Sequence, residues 1–186
     1  MAPRLYPLHP ASIAALSAMA RRFGQNERSV FGFLQSHEPH GFREHVERTD
    51  YGPGGWYLLP RLFDYLAAQG ELPLRAPDRE RRWQLALDAL AQAEGLPPLD
   101  TDALKAVAVI AVLDPLPGLR TDAGSIGWCL GVATDEAEAA LGRLAARQIL
   151  YRRPHRDDYS LWSSTSVDLD HWIDEARVQV PAVTRI

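Results

Sequence analysis

Ile149-Leu150-Tyr151-Arg152-Arg153, then Pro154-His155-Arg156-Asp157-Asp158, then Tyr159-Ser160-Leu161-Trp162: two short runs flank a polar, proline-opened stretch of five. The pattern predicts a β-hairpin with a five-residue loop. Three helical patterns precede it. Leu104 to Leu113 is a strongly apolar helix, ended by the turn Pro115-Leu116-Pro117-Gly118, with Asp100 or Thr101 expected to cap its start. A shorter helix, roughly Asp122 to Leu130, carries Ile126, Trp128 and Cys129. After Gly131, Thr134 is expected to cap a third, whose buried stripe is Ala137, Leu141 and Leu144. Three helices followed by a hairpin is the order of a winged helix, assigned here to residues 99–166. A last helix, Asp168 to Val178, and a loose tail complete residues 167–186.

Upstream, the chain reads as all-helical. Proline is welcome at the first helical position, so a helix starts near His9-Pro10. Its apolar stripe is Ile13, Leu16, Ala20 and Phe23. Gly24 suits the position just past its end, and Asn26 caps the next helix, which carries Val30, Phe31, Phe33 and Leu34. Arg28 thus leaves the mouth of a helix, beside N–H groups that favour an anion. A loop through Pro39, a short polar helix through Phe42 and Val46, and the breaker Tyr51-Gly52-Pro53-Gly54-Gly55 come next. Trp56 to Leu59 is a short extended segment. Pro60 opens a helix through Leu62, Phe63, Tyr65 and Leu66 that Gly70 ends. Leu72 to Pro77 is a connection, and Asp78 to Gly95 holds another helix. Gly95-Leu96-Pro97-Pro98 then marks the boundary of a helical subdomain, residues 1–98. The expected class is mainly α, with one small hairpin.

Composition narrows the function. The 186 residues are 46% hydrophobic and carry a net charge of -4, so no global positive field draws the chain to nucleic acid. One cysteine, Cys129, excludes an intrachain disulfide and a multi-cysteine metal site. The start, Met1 to Leu5, has no long apolar stretch, and the longest apolar run, Ala106 to Leu113, is too short for a bilayer. The expectation is a soluble cytoplasmic protein without a membrane partner.

Winged helices place the start of the third helix against base edges. Here that start is Thr134-Asp135-Glu136-Ala137-Glu138, whose three carboxylates repel phosphate. Between Thr101 and Ile186 there are 9 Lys/Arg against 12 Asp/Glu, a net of -3. Arg152, Arg153 and Arg156, with His155, form a local basic patch on the hairpin, available to a nucleic-acid backbone or to a neighbouring domain. Pairing of these arginines with Asp157 and Asp158 is the plainer reading, which leaves nucleic acid a secondary partner.

No catalytic centre emerges. His37, His40 and His45 lie near Glu38 and Glu44, but without the spacing of a zinc helix, so they read as loop and surface histidines. No nucleophile elbow is present. Gly52-Pro53-Gly54-Gly55 is not followed by Lys-Ser or Lys-Thr, and the sole lysine, Lys105, sits in an apolar helix. An ATPase core is therefore not contained here, and metal ligands are not assigned.

Several phrases together resemble the lid and winged-helix region of large bacterial P-loop ATPases of the AAA+/STAND type, many of which serve phage-defence or other conflict systems. They are Leu5-Tyr6-Pro7-Leu8-His9-Pro10, Arg21-Arg22-Phe23-Gly24-Gln25-Asn26-Glu27-Arg28-Ser29 and Phe31-Gly32-Phe33-Leu34. Leu62-Phe63-Asp64-Tyr65-Leu66, Leu104-Lys105-Ala106-Val107, the hairpin runs, and Ser166-Val167-Asp168-Leu169-Asp170 add to the likeness. Gly24 to Arg28 is similar to the sensor-2 position, where an arginine at a helix start reaches the phosphates of nucleotide held by the core. On that resemblance Arg28 contacts phosphate, while His9 and Pro10 lean towards the adenine side. A guanidinium suits the task because it offers several fixed donors; its alternative is an ion pair with Glu27 or Glu38. The family's P-loop and acidic metal-binding strand are missing. The resemblance thus implies a fragment or split module that meets ATP and Mg only through a P-loop core in cis or in trans. A free-standing winged-helix transcription regulator, with N-terminal helices that sense a ligand or dimerise, is the alternative.

Overall fold

Proline, lacking an N–H and fixed near helical φ, is tolerated in a helix's first turn and rejected further in. Four helices begin on that rule. The computed structural model describes residues 5–22, 32–52, 54–69, 77–114 and 116–162. In chain order its elements are α1 (Pro10–Arg22), α2 (Phe42–Arg48), α3 (Leu59–Ala68), α4 (Pro77–Gln92), α5 (Pro98–Val112), α6 (Ala123–Leu130), α7 (Thr134–Ala146), β1 (Leu150–Arg153) and β2 (Asp158–Leu161). Residues 32–35 are also helical. The protein is mainly α with one two-stranded antiparallel sheet, as the sequence pattern leads one to expect. Pro10, Pro77 and Pro98 are first residues of their helices, and Pro60 lies in the first turn of α3. Gly24 to Arg28, Gly70, Leu72 to Ala76 and the helix expected over Asp168 to Val178 lie outside the described residues.

α5 is the centre. Leu104, Val107, Val109, Ile110 and Val112 are buried on nearly every side of it. A helix apolar all round must be enclosed by others. α3 and α4 pack on it from upstream in the chain; α6, α7 and β2 pack on it from downstream. One buried apolar cluster therefore runs from Ala11 to Tyr159 across the Gly95–Pro98 punctuation. α6 lies closely against α7. A Cβ on Gly127 would come within 3.2 Å of the Val132 carbonyl and 3.4 Å of the Ala137 Cβ, so a larger residue there requires its neighbours to give by a few tenths of an ångström.

Local signals place most boundaries. Asp122 caps α6, its Oδ1 accepting the Ser125 N–H at 2.7 Å. Gly131 ends the same helix at φ 71°. Other expectations are corrected. Asp100 and Thr101 do not cap α5, because Pro97 and Pro98 start the helix earlier and place both inside its first turn. Thr134 does not cap α7: Ala133 holds the cap position, and Glu136 reaches back to accept its N–H at 3.3 Å. The hairpin pairs Leu150 with Leu161, Tyr151 with Ser160, Arg152 with Tyr159 and Arg153 with Asp158. Its loop is one residue shorter than the expected five, because Arg153 draws Asp158 into the ladder.

The segment before α1 is held by backbone. Leu8 forms a parallel bridge with Tyr57, and the His9 N–H donates to the Tyr57 carbonyl at 3.3 Å. The Ser12 hydroxyl donates to the same carbonyl at 2.8 Å. Trp56 to Leu58 is thus extended, and it fixes where α1 begins.

Candidate functional site

His9 and Pro10 stand where the chain turns into α1. Pro10 is the first helical residue, and His9, one step earlier, is fully buried. Its ring lies 4.6 Å from that of Trp128 on α6 and 6.0 Å from that of Trp56, centroid to centroid. Nδ1 accepts the Ala11 N–H at 3.3 Å, so the ring proton sits on Nε2. That Nε2 is buried with no hydrogen-bond partner among the described residues. Burial pushes the imidazole pKa below its ordinary value, which keeps the ring neutral. The aromatic contacts continue outward: Trp56 meets Tyr6 at 5.1 Å, and Tyr6 meets the exposed Tyr51 at 4.7 Å. An aromatic file thus connects the 51–56 loop, the approach to α1, and α6. Arg28, the third residue of this predicted group, lies outside the described residues. Glu38, a predicted alternative partner for it, accepts from the Tyr65 hydroxyl at 2.6 Å and from Gln69 Nε2 at 3.2 Å.

The hairpin arginines have acidic neighbours. Arg153 donates twice to Asp158, at 2.7 and 2.9 Å, in the side-by-side geometry a guanidinium favours. Arg152 donates to Asp157 at 2.8 Å and lies 3.8 Å from Glu138 of α7. The Tyr159 hydroxyl donates to the same Glu138 at 3.0 Å, and burial with that bond pushes its pKa to about 12. Arg120 donates to the carbonyl of Arg156. The carboxylate at the start of α7 therefore braces the hairpin, and two hairpin arginines are compensated within it.

Two ion pairs unannounced by any motif fix α5. Asp100 is fully buried and receives both nitrogens of Arg143 from α7, at 2.9 and 2.6 Å. Lys105 reaches Asp64 of α3 at 2.7 Å, which explains a lysine in an apolar helix: its stem packs while its amine meets a carboxylate. The signal was available in each case, as one charged residue at a buried period of an apolar helix.

The three histidines near Glu38 and Glu44 do not converge: among the described residues no group of three potential metal ligands is found. His45 corrects the surface reading. It is buried on α2, with Nε2–H donating to the Gly55 carbonyl at 3.0 Å and Nδ1 accepting from the Thr49 hydroxyl at 3.3 Å. Burial lowers its pKa, the Gly55 bond opposes that, and the Arg61 charge adds to it. Cys129 is a buried thiol pushed up to about 12, so the core reading of it holds. Among the described residues no helix is long and apolar enough to cross a membrane.

Comparison with family models, with curated proteins and with solved structures returned no match.

Proposed function

We propose that this chain is a non-catalytic nucleotide-sensing and coupling module, a helical lid with a winged helix, that works with a P-loop ATPase core in cis or in trans. The observation that carries the reading is the seat of His9. A residue at the threshold of α1 is buried on Trp128 of α6, so a displacement of α1 is passed directly to the winged-helix elements. α5 adds a second linkage, since α3, α4, α6 and α7 all pack on it. In this reading Arg28 senses the triphosphate held by the core, and the buried joint turns that contact into movement of the hairpin. His9 contributes to the joint rather than to the nucleotide. The acidic start of α7 and the compensated Arg152 and Arg153 support a protein partner over a nucleic-acid one.

The test is turnover in the assembled ATPase. With the P-loop core fused or added, Arg28→Ala removes a charge-assisted contact of about 1.5–3 kcal/mol, roughly tenfold or more in nucleotide-dependent turnover or switching. Unchanged turnover refutes the assignment. The alternative, a free-standing DNA-binding regulator, requires that Arg152, Arg153 and Arg156 replaced together by alanine abolish operator binding.

A further inference from the structure

α1 is capped by a ring that titrates. The His9 carbonyl accepts the Ile13 N–H at 3.1 Å, the first bond of the helix, and its Nδ1 accepts the Ala11 N–H at 3.3 Å. His9 is therefore the N-cap of α1, a post usually held by serine, threonine, aspartate or asparagine. By contrast α2, α3 and α5 start without a side-chain cap, and α6 takes its cap from Asp122. The same ring makes a second attachment: fully buried, it lies 4.6 Å from that of Trp128 on α6. A third attachment does not involve the ring. The His9 N–H and the Ser12 hydroxyl both donate to the Tyr57 carbonyl, at 3.3 and 2.8 Å, and the Tyr57 N–H donates to the Pro7 carbonyl at 2.6 Å. The start of α1 is thus tied to residue 57 by groups indifferent to protons, and to α6 by an imidazole.

The surroundings make no provision for a charged ring. A proton on Nδ1 would face the Ala11 N–H, and Nε2 already lacks a partner among the described residues. α6 contains no Asp, Glu, Lys or Arg, and its Cys129 thiol is buried. In the 56–58 segment only Tyr57 titrates, and its hydroxyl donates to the His40 carbonyl at 2.7 Å. The Tyr6 hydroxyl accepts the Gly52 N–H at 3.0 Å. α3, which packs on α1, turns Arg61 to Glu44 and Asp64 to Lys105. The charged residues of α1 itself, Arg21 and Arg22, are at its far end. The helix start also carries the positive end of the dipole, where a cation is unwelcome. Burial accordingly lowers the pKa of the ring.

We propose that His9 is a proton-operated catch between α1 and α6. The neutral ring caps α1 and seats it on Trp128. The protonated ring gives up both contacts, and α1 leaves α6 while its tie to Tyr57 holds and α4 to α7 stay packed with the hairpin. The catch sits at the joint of the proposed coupling, yet it belongs to the chain alone, so its test needs neither nucleotide nor ATPase core.

The full chain, with ¹⁵N in its indole rings, is titrated with a neutral nitroxide in solution, whose relaxation of each indole signal reads the exposure of that ring. The range from about pH 7.5 to about pH 5 brackets the ordinary imidazole value of about 6.5. Trp128 is 42% exposed, so its relaxation is expected to rise about twofold as its covered half opens, with a midpoint below the ordinary imidazole value. Trp83, buried against Phe63 at 4.9 Å, should not change. No response at Trp128 means that the ring stays seated, and a response shared by Trp83 means that the whole fold opens; either overturns the proposal. His9→Asn keeps a side-chain acceptor for the Ala11 N–H but carries no titrating group. Its Trp128 signal should be indifferent to pH over the same range, and a response retained in this variant overturns the proposal as well. The wild-type titration decides by itself should the variant not fold.

Discussion

Acid should destabilise this protein well before its carboxylates titrate, through His9 and His45. Each ring is neutral with its proton on Nε2, and each uses Nδ1 as an acceptor, for the Ala11 N–H in one case and the Thr49 hydroxyl in the other. Protonation of His9 sets its Nδ1–H against the Ala11 N–H, donor to donor, while protonation of His45 puts a charge inside the fold and makes the Thr49 hydroxyl turn to accept. Both pKa values are lowered by burial. A lowered value in the folded state means that the unfolded chain binds more protons, so the stability is present above the ordinary imidazole pKa of about 6.5 and is lost as pH falls towards the folded values. Over the window from about pH 6.5 to about pH 5.5 the loss is bounded at about 1 kcal/mol for each ring, and at no more than about 2 kcal/mol for both. Against a total of about 5–15 kcal/mol that loss is readily measured. Urea melts followed by tryptophan fluorescence should show the midpoint fall over that unit, by at most roughly 1 M given a slope of about 2 kcal/mol per M. His9→Gln or His45→Gln should each remove part of the pH dependence. A midpoint indifferent to pH in this window, or variants that keep the whole dependence, would show that neither ring is held neutral by its surroundings.

Three further outcomes test the packing. Leu104→Ala empties a fully buried site in α5 and should cost about 2–5 kcal/mol in equilibrium unfolding. Gly127→Ala drives a methyl against the Val132 and Ala133 carbonyls, parts α6 from α7, and should cost about 1–3 kcal/mol; a neutral substitution would mean that the two helices yield. The Cys129 thiol should resist Ellman's reagent in the native protein at neutral pH and react at once in denaturant, since burial both hides it and holds its pKa near 12.

Much of the fold was legible because its punctuation is chemical. Pro10 and Pro60 announced α1 and α3, Asp122 capped α6, and Gly131 ended it, each for a backbone reason that acts locally. Where two local signals competed, sequence reasoning chose wrongly. Asp100 and Thr101 are good caps, but the proline pair at 97 and 98 comes first. Asp100 was instead needed inside, where Arg143 from another helix meets it, a pairing 43 residues apart that no local pattern encodes. The same holds for His45: its polar neighbours in sequence suggested a surface, yet the carbonyl that satisfies it belongs to Gly55 in the following loop. Of the candidate site, Pro10 was placed by its helix position alone. His9 was picked out by its sequence phrase, but its neighbour Trp128 lies more than a hundred residues away, and only tertiary packing shows that the ring faces inward.

The lone lysine has a consequence for handling the molecule. Its ammonium is held 2.7 Å from Asp64 with only 18% of its side chain exposed, so an amine-directed dye ester should reach it slowly in the native fold and readily once α3 and α5 part. Labelling at this one position therefore reports the separation of the two helices.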